Sequence, residues 1–420
     1  MKRNQIVFVT AFSLPMLTSL SISAQTSYNL QKTLQTAKTN NPALKTQFFN
    51  VSIAETDIIT AKLRPNPILN NQSLQLMQPS YFPANTAWTN GKNRQVWWQL
   101  TKQFQLPAQR KYKVEFAKQN VLLSQKEYSE TERNLYQDVA NKWLDVWVAK
   151  KQLDILQYAK NNTDSLVKIN KLRLKNQVIT QTDLSRAELL SNQYALQLKS
   201  AEQNYNNEIV NLKFLIGIQD NVSIDTTDNF NYAFSNNIDT LLQEALTNRS
   251  DLLALKSSID VSNSNIKLQK SLAWPTPELG AIYNPQNTIP YFGFYGTIQI
   301  PLFSRNQGQI KKSNLIKQQA EQGLITSQQQ IQTELAVAYN TCKIQKENLT
   351  NYKNIVKQSE EILNSVEYSY LRGGTTIIDF LEAQRSWLDT QQQYYQTLQL
   401  YRQSYIKLLY TSGLINKLAQ

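Results

Sequence analysis

Displaced by 196 positions, this sequence falls back on itself without a gap from Leu135/Ile331 to Gly217/Gly413. Asp379 lands on Asp183, Ala383 on Ala187, Gln393 on Gln197, Tyr401 on Tyr205 and Leu408 on Leu212, while Val139/Leu335, Trp143/Tyr339, Leu153/Leu349 and Leu166/Ile362 also match in type. A duplication this regular requires a fold built from two similar halves.

The repeated unit is helical. Ile331, Leu335, Ala338, Cys342, Leu349, Tyr352, Val356, Leu363, Val366 and Tyr370 follow steps of four and three, with Gln345 and Ser359 as polar members. That is a heptad seam. Beyond Gly373 and Gly374 the chain carries two adjacent apolar stripes: Phe380, Trp387, Tyr394, Tyr401 and Leu408, then Leu381, Leu388, Tyr395 and Leu409, interrupted by Arg402. Glu382, Asp389, Gln396 and Gln403 form a polar stripe at the same spacing. Two seams on one helix imply a neighbour on each side, as in a ring or tube of helices. An ordinary two-stranded coiled coil needs one.

Composition removes several function classes. Among 420 residues there is no histidine and one cysteine, so histidine-dependent catalysis, histidine metal ligation and intrachain disulfides are excluded. The net charge of +13 is spread along polar helix faces, without a dense Lys/Arg tract or a recognised nucleic-acid module, and reads as solvated surface rather than nucleic-acid binding. No Walker loop, metal cluster or nucleophile–base arrangement stands out, so no catalytic, cofactor-binding or metal-binding residue is assigned.

Lys2 and Arg3 precede the apolar segment Ile6 to Leu20, which runs into small residues with a plausible cut after Ala24. Residues 1–24 are therefore expected to be a secretory signal peptide. No later run of about 18 apolar residues exists to make a transmembrane helix. An exported chain that also sits in a membrane would then need a closed β-barrel.

Two windows have the character of barrel strands. After a helix that ends at Pro65 and Pro67, the stretches 66–78 and 94–106 are predicted as strands. In the second, Val96, Trp98, Leu100, Phe104 and Leu106 alternate with Trp97, Gln99, Thr101, Gln103 and Gln105, and Lys102 spoils the apolar face. The turn-rich segment between them, with Tyr81, Phe82 and Trp88, suits a loop or aromatic girdle at a membrane surface. The second half repeats the pattern after Pro275 and Pro277, with strands predicted at 276–284 and 291–300; there Phe292, Phe294, Ile298 and Ile300 share a face. Pro107 and Pro301 are each expected to open the next helix. The domain reading is a first repeat over 25–230 and a second over 231–420. Val96, Trp98, Phe292, Phe294 and Ile298 are the expected lipid-facing side chains.

From Pro107 to Leu174 is about 68 residues, on the order of 100 Å of helix. Such a rod does not fold into a globule. Four strands are too few to close a barrel, whereas three copies would supply about twelve. The expected fold class is thus mainly α with a β-barrel contribution, two repeats per chain, assembled as a trimer.

With PNPIL at Pro65 to Leu69, FQLPAQRKYKVEFA at Phe104 to Ala117, TDLSRAELL and FLIG up to Gly217, and RGGTTIIDFLEAQRSWL and YTSG up to Gly413, the chain resembles a TolC-family outer-membrane efflux protein of the CusC/CzcC-like kind. The likeness spans essentially the whole chain after the signal. It implies a homotrimer with a β-barrel in outer-membrane lipid and a periplasmic α-helical tunnel, whose far end meets a periplasmic adaptor (membrane fusion) protein and an inner-membrane pump of the RND type. It implies a passive exit duct for small molecules or metal ions, without cofactors. A secreted coiled-coil structural or adhesive protein is the alternative, which leaves the Pro-bounded strand pairs without a role.

In similar proteins, acids in a D-x-x-D/E pattern at the second tip line the constriction; here these are Asp379 and Glu382, three apart on one helix face. Capping after Thr375 and Thr376 explains Asp379 equally, as it does Asp183 in the first repeat, where Arg186 replaces the second acid. The position two after Gly373, basic in some relatives, is Thr375. Gly373 and Gly374 suit a turn with positive φ; in the first tip Asn176 is the residue best able to adopt the left-handed conformation, beside Gln177 and Val178.

Overall fold

A computed structural model describes residues 26–227, 237–286 and 289–420; the expected signal peptide lies outside them. The first half runs β1 (Thr26–Tyr28), α1 (Leu30–Asn40), α2 (Pro42–Lys62), β2 (Ile68–Gln75), β3 (Arg94–Gln103), α3 (Pro107–Lys175) and α4 (Gln181–Ile216). The second runs β4 (Val222–Ile224), α5 (Ile238–Asn248), α6 (Ser250–Ser271), β5 (Glu278–Gln286), β6 (Ile289–Thr297), α7 (Gln307–Leu371) and α8 (Ile377–Thr411). Helix α3 has 69 residues and α7 has 65, each on the order of 100 Å long. Among the described residues, no helix is long and apolar enough to cross a membrane.

The helices form a wall rather than a bundle. Toward the sheet the packing order is α2–α3–α6–α7, and toward the tips it is α4–α3–α8–α7. Helix α8 therefore has a neighbour on each side, as its two stripes require: Phe380, Trp387, Leu388, Leu408 and Leu409 are buried. Arg402 sits in the second stripe with its guanidinium 4.3 Å over the Trp147 ring of α3, which keeps the cation in an otherwise aromatic contact. Along α7 the seam residues Ile331, Leu335, Ala338, Cys342, Leu349, Leu363 and Tyr370 are buried.

At mid-height a larger core forms around Trp143, which is fully buried and donates from Nε1 to the Tyr28 carbonyl at 3.1 Å. That bond seats β1, which pairs in parallel with β4. The two halves solve one problem differently here. Asn41, the cap of α2, donates from Nδ2 to the carbonyl of Leu215 near the end of α4 at 2.7 Å. Its counterpart, Arg249, joins α5 to α6 and donates to the carbonyl of Thr411 at the end of α8 at 3.3 Å. Leu215 and Thr411 are 196 positions apart, so each half satisfies the same terminal carbonyl from the same side.

The arginine version carries a charge network. Arg249 forms a fork with Asp251 (3.1 and 2.6 Å) and reaches Glu334 of α7 at 3.0 Å. Arg133 of α3, only 2% exposed, forks onto Glu130, bonds the Tyr410 carbonyl and lies 3.6 Å from Asp251. Burial pushes the Asp251 carboxyl upward, but the bonds and charge of Arg249, with Arg133 behind, outweigh it and hold the group below the ordinary carboxylate range. Four helices meet at these two guanidiniums.

Two sequence expectations change. Pro107 does open α3, but Pro301 lies six positions before α7, whose first residue is Gln307. The intervening turn is used for docking: Asn306, at φ 57°, donates from Nδ2 to the Gln269 carbonyl at 2.8 Å and so fixes α7 to the end of α6. Strand β6 stops at Thr297, so Ile298 is exposed just beyond the strand rather than in it. Its partner β5 begins at Glu278, opposite Thr297, and the preceding Pro277 has no N–H to extend the ladder.

Candidate functional site

The strands form one antiparallel sheet in the order β2–β3–β5–β6. Residues opposite one another in such a ladder share a face. Ser73 faces Val96; Asn71, Trp98, Tyr283 and Phe292 form one row; Leu69, Leu100, Ala281 and Phe294 form the next on the same side. The register thus gathers Val96, Trp98, Phe292 and Phe294 onto one apolar face, with Phe294 84% exposed and its ring 5.1 Å edge-on from Phe292. Lys102 is on this face at the rim and turns its Nζ to the Pro65 carbonyl. The opposite face carries Gln99, Gln103, Asn70, Gln72, Glu278 and Thr297, and there the Tyr295 and Thr101 hydroxyls bond each other. The Trp98 and Phe294 face is the more apolar and the Gln99 and Thr101 face, which also carries Trp97 and Ile282, the more polar, as in a barrel segment between lipid and water. In the β2–β3 loop Tyr81 and Trp88 are exposed.

At the far end of the wall the two helical turns superimpose in chemistry. In the second, Gly374 N–H bonds the Ser369 carbonyl at 2.8 Å and Gly373 N–H the Tyr370 carbonyl at 3.1 Å; in the first, Val178 bonds Arg173 and Gln177 bonds Leu174, both at 2.9 Å. These are Schellman closures at the same repeat positions. The left-handed residue is accordingly Gly373 at φ 79° in one tip and Gln177 at φ 57° in the other. Asn176, expected in that conformation, is instead the C-cap at φ −89°, because the closure fixes which position must turn and the side chain follows.

Thr376 and Asp379 form a reciprocal capping box, as do Thr180 and Asp183. Asp379 Oδ2 accepts from the hydroxyls of Thr375 and Thr376 at 2.7 Å each and from the Thr376 amide at 3.1 Å. The Thr375 hydroxyl, then the Thr376 hydroxyl and amide, hold this carboxyl below its ordinary range. Asp379 and Glu382 are both exposed on the same side of α8, in line with Asp389. In the first tip Asp183 has Arg186 as neighbour, 4.0 Å away, so the exposed acid pair is a property of the second tip.

The sequence reading missed what joins the tips. Arg173 of α3 donates to the carbonyl of Leu371 at 2.7 Å, and Tyr370 Oη donates to Asn170 Oδ1 at 2.7 Å, with Asn170 fully buried. Tyr370 stood in the heptad seam, where its ring is read as packing. Nothing in the spacing identifies Asn170 as its partner.

A sequence model of the outer membrane efflux proteins matches residues 241–413. No curated protein matches the chain. Among solved structures, the chain is similar to a membrane protein from Pseudomonas aeruginosa (TM-score 0.74, 16% identity, 91% of this chain and 92% of that one). It is similar to CusC, described as undergoing conformational changes on folding and transmembrane channel formation (0.73, 18%, 94% and 95%). The open-state MtrE outer membrane channel of Neisseria gonorrhoeae matches at 0.72 and 18% identity, over 92% and 89%. Residues 241–413 thus match the outer membrane efflux proteins, and over most of its length the chain shares the fold of the CusC and MtrE channels.

Proposed function

We propose that three copies of this chain close into a passive exit duct, with twelve strands as the barrel and the helical walls as the tunnel. The carrying observation is that each copy has two unpaired edges that run its full length. Strands β2 and β6 are the edges of the sheet. Helix α2, which leads into β2, shares its edge of the wall with α4, while α7, which follows β6, forms the other. Joining one edge to the other of the next copy is a head-to-tail contact, which gives a closed ring when the rotation permits. It also removes the strand edges that lipid cannot satisfy. The apolar sheet face then meets lipid and the polar face, with Tyr295 and Thr101, lines the bore.

In such a ring Asp379 and Glu382 repeat three times around the narrow end and favour cations over anions there. Exposed Leu172, Val178 and Leu371 at the tips suit docking of a periplasmic adaptor hairpin, with an RND-type pump beyond it. No bond is made or broken; the chain supplies shape, a wet bore and a charged constriction. The test is native mass spectrometry of the protein in detergent together with planar-bilayer conductance. A trimer with discrete channel steps is expected, and a monomer without conductance overturns the reading.

A further inference from the structure

Helices α4 and α7 each bury one stripe inside the copy and expose another on the far side. On α4 the exposed positions Leu189, Leu196, Gln203 and Val210 are seven apart, and Phe214, 82% exposed, stands one turn further on. On α7 they are Val337, Ile344, Ile355 and Ile362, with Asn348 and Asn351 between. Among the described residues, both stripes are heptads that the same copy leaves exposed.

Their relative heights follow from internal contacts. Ser191 of α4 donates to Asp164 of α3 at 2.5 Å, and Arg173 of α3 reaches Leu371 of α7, 198 positions on. The same offset from Asp164 ends at Ile362, so Ser191 and Ile362 are level. Higher up, Lys142 of α3 pairs with Glu208 of α4 at 3.0 Å, and the offset puts Asn340 level with Glu208.

We infer that α4 of one copy and α7 of the next form an antiparallel heptad seam in which Leu189 lies opposite Ile362, Leu196 opposite Ile355 and Phe214 opposite Val337. This register falls between the two height anchors, and it sorts the remaining rungs by chemistry. Gln203 meets Asn348, and Ser200 meets Asn351, so the polar centre of one stripe coincides with the polar centre of the other. Val210 meets Thr341, whose methyl can pack while its hydroxyl stays on its own helix carbonyl, and Asn207 against Ile344 sets an amide against an apolar side chain. Near the upper end a groove of about 340 Å³, lined by Val337, Ala338, Thr341 and Ser404, lies beside Val337, within reach of the Phe214 ring of the neighbouring copy. Buried polar pairs of this kind cost stability but fix register, because a slip of one heptad sets Asn348 against Leu196 in one direction and against Val210 in the other. The partner is thus a second copy of this chain. The seam rests on the three-copy reading and adds which residues meet.

Paired cysteines test it in the full-length protein in detergent, with buried Cys342 left in place. Leu196→Cys with Ile355→Cys is expected to give disulfide-linked oligomers on a non-reducing gel. Leu196→Cys with Ile362→Cys, displaced by about 10 Å along the helix, is expected to give none. A trimer by native mass spectrometry that fails to cross-link in the first pair, or links equally in both, overturns the seam and leaves the trimer standing; a monomeric unsubstituted protein overturns the three-copy reading beneath it. A charge exchange reads the polar centre separately. Gln203→Glu with Asn348→Glu should lower the temperature at which the trimer dissociates by several degrees, and Gln203→Glu with Asn348→Lys should restore it. Equal behaviour of the two overturns the Gln203–Asn348 rung.

Discussion

Tyr370 and Asn170 are joined across the tips by one 2.7 Å hydrogen bond between buried side chains, and the Tyr370 ring stacks on Phe380 at 5.4 Å and 9°. Among the described residues the Asn170 amide donor has no partner, so the contact between α3 and α7 rests on a half-satisfied amide. Tyr370→Phe keeps the stack and removes the donor. It should cost about 1–3 kcal/mol locally, visible as faster amide exchange in both tips and a larger single-channel conductance. Unchanged exchange in the first tip would mean that the bond does not couple the two.

Gln177 holds φ 57° where the second repeat has Gly373, and a side chain in that region costs about 1 kcal/mol relative to glycine. Gln177→Gly should therefore stabilise by up to about 1 kcal/mol, read as a rise in thermal midpoint. Gly373→Ala meets open space, so it should destabilise through backbone strain alone, by a similar amount. Opposite signs for the two substitutions are the expected result of thermal unfolding in detergent.

Asp379 is depressed by three hydrogen bonds, so its contribution to the cap is present above the unfolded value of about 3.9 and is lost as pH falls through the lower folded value. The carboxylate therefore stays charged to a lower pH than an ordinary aspartate. In Glu382→Gln channels, block by a multivalent cation should decline only at a pH below the ordinary aspartate range. Asp379→Ala with Glu382→Ala should weaken the block several-fold at neutral pH, and planar-bilayer titration with the cation separates the cases. Unchanged block in the double variant would leave Asp379 as a cap alone.

Asp251 is the shared anion between Arg249 and Arg133. Asp251→Asn leaves two largely buried guanidiniums with less compensation and should destabilise by about 3 kcal/mol. Since the Asp251 carboxyl is held low, its stabilisation is present above the unfolded value and disappears as pH drops through the folded one. The variant should accordingly show a flatter acid-unfolding profile, measured by circular dichroism between pH 5 and 2.

The parts legible in the sequence are those with a period. Seams such as Ile331 to Tyr370 imply helices of great length, and alternation around Trp98 and Phe294 implies strands with one apolar face. Contacts between distant segments have no period. Arg133 and Arg249 look like ordinary surface charges until α3, α6, α7 and α8 are brought together. Turn chemistry was legible only where side chains decide it: the glycines mark the second tip, whereas in the first the Schellman hydrogen bonds place Gln177, not Asn176, in the left-handed position. Pro301 carried a helix-start signal that the docking of Asn306 on Gln269 overrode.

Gly280 faces Tyr295 on one side and Thr101 on the other, and a Cβ there would lie 2.5 Å from the Tyr295 ring. The ring crosses the vacant side-chain position to bring its hydroxyl to Thr101, two strands away. Gly280 is thus the condition for a bond that spans β3, β5 and β6 on the polar face. Gly280→Val should expel the ring and strand the hydroxyls, costing about 1–3 kcal/mol per copy and lowering the fraction of the proposed trimer that resists heat in detergent. Adding Tyr295→Ala removes the clash and should recover part of that fraction, although the bond stays lost. Gly293→Ala, in open space on the same face, should leave it unchanged. Failure of the Tyr295→Ala rescue would show that the glycine is needed for strand twist rather than for passage of the ring.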